Sequence, residues 1–325
     1  MRKPNITVIF LLLLIVMTAV SACSPASNAP AIAPIAPVAP NTGGTDRLNV
    51  VATTTLVGDV VRIVGGDNVD VTVLIPPDVD EHGFEPTPQD IARVAQSDLV
   101  FINGAGLEGF IEKLVQNAGD QQPMVSVSEG ITLQEGCEHE EEQAGEAGHE
   151  GGDPHVWTDP NNVLIWVDNI EKSLTEADPA NAAAYQKNAE AYRQQLKELD
   201  AWIQEQVQQI PQEQRKLVTD HTIFTYFASR YGFEQVGAVV PGYSTLSSPS
   251  AQQLAALEDA IKDLNVPAIF VGNTVNPAAA ERVSKDTQTE LVHILTGSLT
   301  NQDGLAPTYL EYVRYNVQVI VGALR

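Results

Sequence analysis

Between Ala180 and Ile210 this chain of 325 residues holds neither glycine nor proline, and strong helix formers fill the stretch. Asp178-Pro179 supplies a helix start and Pro211 a stop. A helix over 178–210, at 1.5 Å per residue, would reach ~50 Å, longer than a single sheet needs for its cover. Such an element joins two bodies. Both flanks read as alternating strand and helix. Strands are expected at 48–53, 69–75, 99–103 and 124–127, then at 216–219, 233–240, 266–271 and 291–295. Between them fall helices, one with Val57, Val60, Val61 and Val64 on a single face. Another opens on Thr87-Pro88-Gln89-Asp90, with a cap, a first-turn proline and an acid three residues on. Further helices are expected over 107–117, from Asp159-Pro160 onward, and over 223–231, 249–264, 277–287 and 308–324. The fold expected is α/β: two lobes with mainly parallel sheets flanked by helices, joined by one long rigid α-helix. The N-terminal lobe spans 46–177, the linking helix 178–210 and the C-terminal lobe 211–325.

The first residues belong to neither lobe. Arg2 and Lys3 precede an apolar run from Ile6 to Met17, too short to span a membrane, and small residues follow up to Cys23. Residues 1–22 read as a secretory signal, and the small pair before Cys23 resembles a bacterial lipobox, in which the cysteine is lipidated. The plainer alternative is cleavage after Ala22, leaving Cys23 a free thiol. Residues 23–45 place prolines regularly among alanines, an extended spacer with no core of its own. The folded body would then sit outside the cytoplasm, held to the outer face of the cell membrane by Cys23 and touching it through the lipid alone.

Composition narrows the partners. Acidic residues number 42 against 18 basic ones, for a net charge of −24, which excludes a nucleic-acid binder in need of a basic face. Two cysteines make no disulfide framework. Of six histidines, His82 follows the second strand and His221 follows the first strand of the second lobe. Ligands of open α/β sheets bind at the carboxyl ends of strands, so these two would face one cleft. His155, just ahead of the Asp159-Pro160 helix, can reach the same edge. Three neutral imidazoles suit Zn²⁺ above other common cations. Any one histidine alone is more often a hydrogen-bonded surface or capping residue, and the separations fit no local zinc motif. His293, alternating into an apolar strand, reads as structural.

Four segments resemble, in order, the zinc and manganese family of substrate-binding lipoproteins of bacterial ABC importers. They are Asp80-Glu81-His82-Gly83-Phe84-Glu85-Pro86-Thr87-Pro88, Asp153-Pro154-His155-Val156-Trp157-Thr158-Asp159-Pro160, His221 to Phe227 with Tyr231-Gly232, and Tyr309 to Asn316. The resemblance runs from about Leu48 to the C-terminus. It implies two α/β lobes bridged by a rigid helix, with the metal in the cleft and His82, His155 and His221 as its ligands. A histidine at the third position resembles zinc-preferring members, placing Zn²⁺ ahead of Mn²⁺. The partners implied are a membrane permease and its ATPase, with a monomeric binding protein closing modestly on its cargo. The chain departs from the family at the fourth ligand: Gly297 stands where an Asp is usual, and Gly272 where a Glu is often found. Water or Glu81 would fill that place; alternatively Glu81 is an exposed carboxylate at a loop tip.

Residues 134–153 carry eight carboxylates, His139, His149 and Cys137, with no Lys or Arg. The segment reads as a mobile loop, either merely solvated or, through His139 and His149, an auxiliary low-affinity metal collector. Two other functions remain open. One is a zinc hydrolase using three histidines and an open position, although no His-Glu-x-x-His, Gly-x-Ser-x-Gly or Gly-rich phosphate loop is present. The other is a surface adhesin or zinc store with no transport role.

Overall fold

The computed structural model describes residues 47–119, 122–134 and 152–325. The signal segment, Cys23, the tether, Cys137, His139 and His149 lie outside the described residues. Every expected strand is present, within a few residues of its expected ends. The first lobe runs β1 (Leu48–Ala52), α1 (Thr55–Gly65), β2 (Val69–Val73), α2 (Pro88–Ala95), β3 (Leu99–Ile102), α3 (Ile111–Ala118), β4 (Met124–Ser126) and α4 (Pro160–Ala177). Its strands are all parallel, in the order β2-β1-β3-β4. After α5 (Ala182–Val207) the second lobe runs β5 (Lys216–His221), α6 (Thr225–Tyr231), β6 (Glu234–Val240), α7 (Ala251–Leu264), β7 (Ala268–Val271), α8 (Ala278–Thr287), β8 (Glu290–His293) and α9 (Tyr309–Leu324). It repeats the arrangement as β6-β5-β7-β8, again parallel. In each sheet the connections change direction beside the strand that leads it, β1 or β5. Such a reversal leaves a crevice at the strand ends.

Local chemistry sets the element ends. Thr87 and Asp90 form the reciprocal cap of α2: Thr87 Oγ1 accepts from the Asp90 amide, and Asp90 Oδ2 from the Thr87 amide. The linking helix is shorter than the 178–210 run. It has 26 residues and follows a single 3₁₀ turn over Pro179–Asn181. Asp178 is the reason: its Oδ2 accepts from Asn181 Nδ2 and Tyr185 Oη, fixing a local turn before the helix can start. Along α5, Tyr185, Ala189, Tyr192, Leu196, Leu199, Ile203 and Val207 form one buried face. α4 and α9 both pack along α5.

Sheet alternation divides the apolar residues between two sides. Val50, Ala52 and Phe101 face inward, while Val51, Val100 and Ile102 face a smaller outer core with Val94 and Leu114. The second sheet does likewise, with Val218, Ile269 and Val271 turned to an outer core under α7 and α8. The inner faces of both lobes share one continuous cluster, in which Trp157, Trp166, Phe227, Phe270, Tyr309 and Tyr312 are buried. Two hydrogen bonds tie α1 across to the second half: Leu299 donates its amide to Thr55 Oγ1 (2.9 Å) and Tyr309 donates its amide to Asp59 Oδ2 (2.8 Å). Turning one lobe against the other would expose this core, at roughly 1.5–3 kcal/mol per large side chain.

Asp59 makes that joint sensitive to pH. Burial pushes its carboxyl up from 3.8 to about 6, although the Tyr309 amide and Arg62 oppose the rise. The proton is held more tightly in the folded state, so this group's contribution is complete below pH 4 and is lost as pH rises through about 6. Asp59→Asn keeps an acceptor for the Tyr309 amide and removes the charge. Denaturant titrations of the variant are expected to show a flatter stability profile between pH 4 and 7, with a gain on the order of 2–3 kcal/mol at pH 7.

Candidate metal centre

Three backbone segments meet at the carboxyl ends of the two sheets. The first is the loop from Pro76 to Pro86 after β2, which carries His82; Asp80 Oδ1 accepts the His82 amide (3.0 Å) and shapes the turn. The second is Asp153-Pro154-His155. Asn103, at the end of β3, donates from Nδ2 to the Pro154 carbonyl (3.1 Å), and Tyr226 Oη donates to the Asp153 carbonyl (2.7 Å). Asn103 is itself fixed by Glu108, a buried carboxyl raised by desolvation that accepts the Asn103 amide (2.6 Å), the Gly104 amide and Thr53 Oγ1. The third is the end of β5, whose last residue is His221.

The three imidazoles converge. Their ring centroids lie 5.1–5.6 Å apart, and one ligand atom from each falls within 4.8 Å of the others. His155 and His221 are buried; His82 is half-buried and closes the outer side. Two carboxylates orient the buried pair. His155 donates from Nδ1 to Asp153 Oδ1 (2.7 Å), and His221 from Nδ1 to Asp220 Oδ1 (2.6 Å). Each ring thus carries its proton on Nδ1 and turns an Nε2 lone pair into the cleft. The Nε2 atoms of His82 and His155 stand 3.2 Å apart. The edge of a tetrahedron with ~2.0–2.1 Å metal–nitrogen bonds is about 3.3–3.4 Å, so the pair already has the spacing of two zinc ligands. Burial alone would pull His221 down, but the Asp220 and Glu81 carboxylates outweigh it and hold the imidazole above its ordinary value.

Glu81 is not an exposed loop-tip carboxylate. It is 2% exposed, and burial pushes its carboxyl up to about 7 against the pull of its own backbone amide and of His221. Gly297 makes the room: a Cβ there would overlap the Glu81 carboxyl group. The space over Gly297 is thus occupied by a carboxyl group from the other lobe. Glu81 Oε2 has no hydrogen-bond partner, and neither has His221 Nε2. Among the described residues the metal-sized cluster comprises only the three histidines, with the Glu81 carboxylate beside it. His293 takes no part; it ends edge strand β8 and is exposed.

The sequence reading did not single out Asp153 and Asp220 as the groups that orient the rings, although an Asp directly before one histidine and two residues before the other was a visible signal. Nor did it single out Tyr243, whose ring lies 6.3 Å from that of His155.

A family model described as zinc-uptake complex component A, periplasmic, matches residues 50–323. The manganese-binding lipoprotein MntA of Halalkalibacterium halodurans is 34% identical over 281 residues, covering 85% of this chain and 88% of that protein. The iron-binding protein YfeA of Yersinia pestis is 34% identical over 278 residues, with 84% and 85% covered. Among solved structures, the periplasmic zinc-binding protein TroA of Treponema pallidum superimposes with a TM-score of 0.77 at 28% identity, over 86% of this chain and 99% of that one.

If Asp220 sets which nitrogen His221 presents, Asp220→Asn should weaken metal binding about 10–100-fold, and it should also lower the thermal unfolding midpoint, since an amide cannot accept from His221 and Gly272 together. Calorimetric titration with zinc measures this; an unchanged affinity would remove the orienting role.

Proposed function

The chain belongs to the zinc-uptake component A family of metal ABC-importer substrate-binding proteins, and we propose that its cargo is zinc, in preference to manganese. The observation that carries this reading is the donor set: three imidazole nitrogens converging in one cleft, two of them locked by carboxylates on their far side. Nitrogen donors favour zinc, and at a given nitrogen or oxygen site Mn²⁺ binds most weakly of the first-row divalent ions. Relatives carry names for manganese, iron and zinc, so the selectivity has to come from this chain's own ligands. Family members bind and deliver cargo and are not enzymes, which sets aside a three-histidine hydrolase.

In this reading His82, His155 and His221 supply three ligands and Glu81 the fourth, seated by Gly297. A buried carboxylate with an unpartnered oxygen gains most from a cation placed beside it. The loaded face would dock on a membrane permease, whose ATPase partner does the work of transport. Cys23 would carry the lipid that holds the protein at the outer face of the membrane, as the lipoprotein names of relatives suggest. His139 and His149 would gather zinc weakly near the cleft without contributing to the tight site.

Competition calorimetry with zinc and manganese tests the preference. Zinc is expected to win by at least a hundredfold, and His155→Ala to abolish the tight site; manganese binding more tightly would overturn zinc as cargo. Protons compete for the same lone pairs, so affinity should fall as pH drops through ~6.5, the loss starting higher because His221 is raised. Binding that stays flat from pH 8 to 5 would argue against imidazole ligation. Deleting residues 134–152 should leave the tight site intact.

A further inference from the structure

The loop that carries His82 leaves the first lobe, yet its side chains fasten to the second. Asp78 donates its amide to Ser298 Oγ (3.0 Å), and its Oδ1 accepts from Asn273 Nδ2 (2.7 Å). Asp80 accepts from Thr245 Oγ1 at its Oδ2 (2.5 Å) while its Oδ1 holds the His82 amide. One carboxylate thus couples the position of a ligand to a loop, 241–249, that extends from β6 of the opposite lobe. At its base that loop is tied to its own lobe, where the Gly242 carbonyl accepts the Thr222 amide (3.0 Å); toward its tip Thr245 reaches across to Asp80. A cavity of about 400 Å³ lies beneath it, walled in part by Asp80, Asp220, Thr245, Thr274 and Asn276. Leu246 at its tip is 64% exposed. A segment with an exposed tip over a cavity opens more readily than the packed core, and polar bonds across the cleft oppose that opening.

The other two histidines cannot move so easily. His155 and His221 are buried, carboxylate-bound and set at the edge of the core shared by the lobes. We propose that the cleft opens at its rim, through release of the His82 loop, and that Thr245–Asp80 and Asn273–Asp78 are the clamps that set how fast the metal leaves. Thr245 and Asn273 are positioning residues: they touch no ligand atom of the metal and act through Asp80 and Asp78. Breaking them lowers the barrier to losing His82, which leaves the ion a ligand short and lets it go. This rests on the three histidines being the cargo site and adds the route of release.

The experiment loads the full chain with zinc, mixes it with excess chelator and follows release by stopped flow. A hydrogen bond to a charged group is worth roughly tenfold in an equilibrium. Thr245→Ala and Asn273→Ala should each speed release about tenfold, the double variant more, with the association rate unchanged. Thr245→Ser, which keeps the hydroxyl, should release at the parent rate. A double variant that releases at the parent rate, or a Thr245→Ser variant as fast as Thr245→Ala, would overturn the clamp. Amide hydrogen exchange over 76–86 in the metal-free protein gives a readout that needs no cargo. Exchange there should rise in the double variant and stay unchanged over β5; no rise overturns the proposal on its own. A parent protein that binds no zinc, with the rise still seen in the double variant, would sink the cargo reading and leave the clamp standing.

Discussion

Two short bonds, His155 Nδ1 to Asp153 and His221 Nδ1 to Asp220, determine what this cleft can do. A buried imidazole can present either nitrogen, and a carboxylate on one side removes that choice. The surrounding structure is organised to keep those carboxylates in place. Asp220 also accepts the Gly272 amide (2.5 Å), pinning the end of β5 to the end of β7 where the second sheet reverses its connections. Asp153 receives Thr225 Oγ1 at the start of α6, so a ligand segment that precedes α4 is anchored on the second lobe. The parallel sheets bring the segments to one edge. The carboxylates then turn that proximity into a fixed set of lone pairs.

The shared core changes how the two lobes should be regarded. A long helix between two α/β bodies suggests a hinge, and modest closure about it was the natural expectation. Here α5 is buried along one whole face, α9 packs beside it, and Trp157 donates to the Thr296 carbonyl (3.3 Å) across the middle. Tyr309 and Tyr312 fill the space between, each with its hydroxyl bonded to a carbonyl, Trp157 O and Thr296 O respectively. Closely packed aromatic cores do not shear continuously. A hinge motion would have to break that packing, whereas the loops at the rim lie outside it.

Much of this was legible in the chain because it is local. The valines of α1, the Thr87–Asp90 cap and the uninterrupted run of α5 each act within a few residues, so the βα order and the sheet ends follow from them. The three histidines were legible for the same reason, as residues at or near strand ends. Glu81 was not. Whether its carboxyl is exposed or buried depends on the missing side chain of Gly297, far along the chain, and no periodicity links the two. Thr245 and Asn273 were hidden likewise, since polar loop residues mean little until the partner across the cleft is known. The start of α5 was misplaced by a few residues because Asp178 uses its side chain in a turn, a choice that helix propensity does not capture.

Glu81 and His221 together explain why an ion belongs in this cleft on energetic grounds as well as geometric ones. A buried carboxylate oxygen and a buried imidazole nitrogen without hydrogen-bond partners each carry a desolvation cost, of order 1–3 kcal/mol and more for the charged group. Protonating Glu81 relieves part of it, which is why burial drives its carboxyl upward. A divalent cation held by both would relieve both at once and let the carboxylate keep its charge. Part of the binding free energy is therefore already stored in the fold as unsatisfied polar groups held in place by Gly297, Asp220 and the common core. The same stored cost opposes release, because the departing cation leaves those atoms unsatisfied again. Capture thus draws on the buried groups, and the ion's exit has to come from the half-buried His82 at the rim.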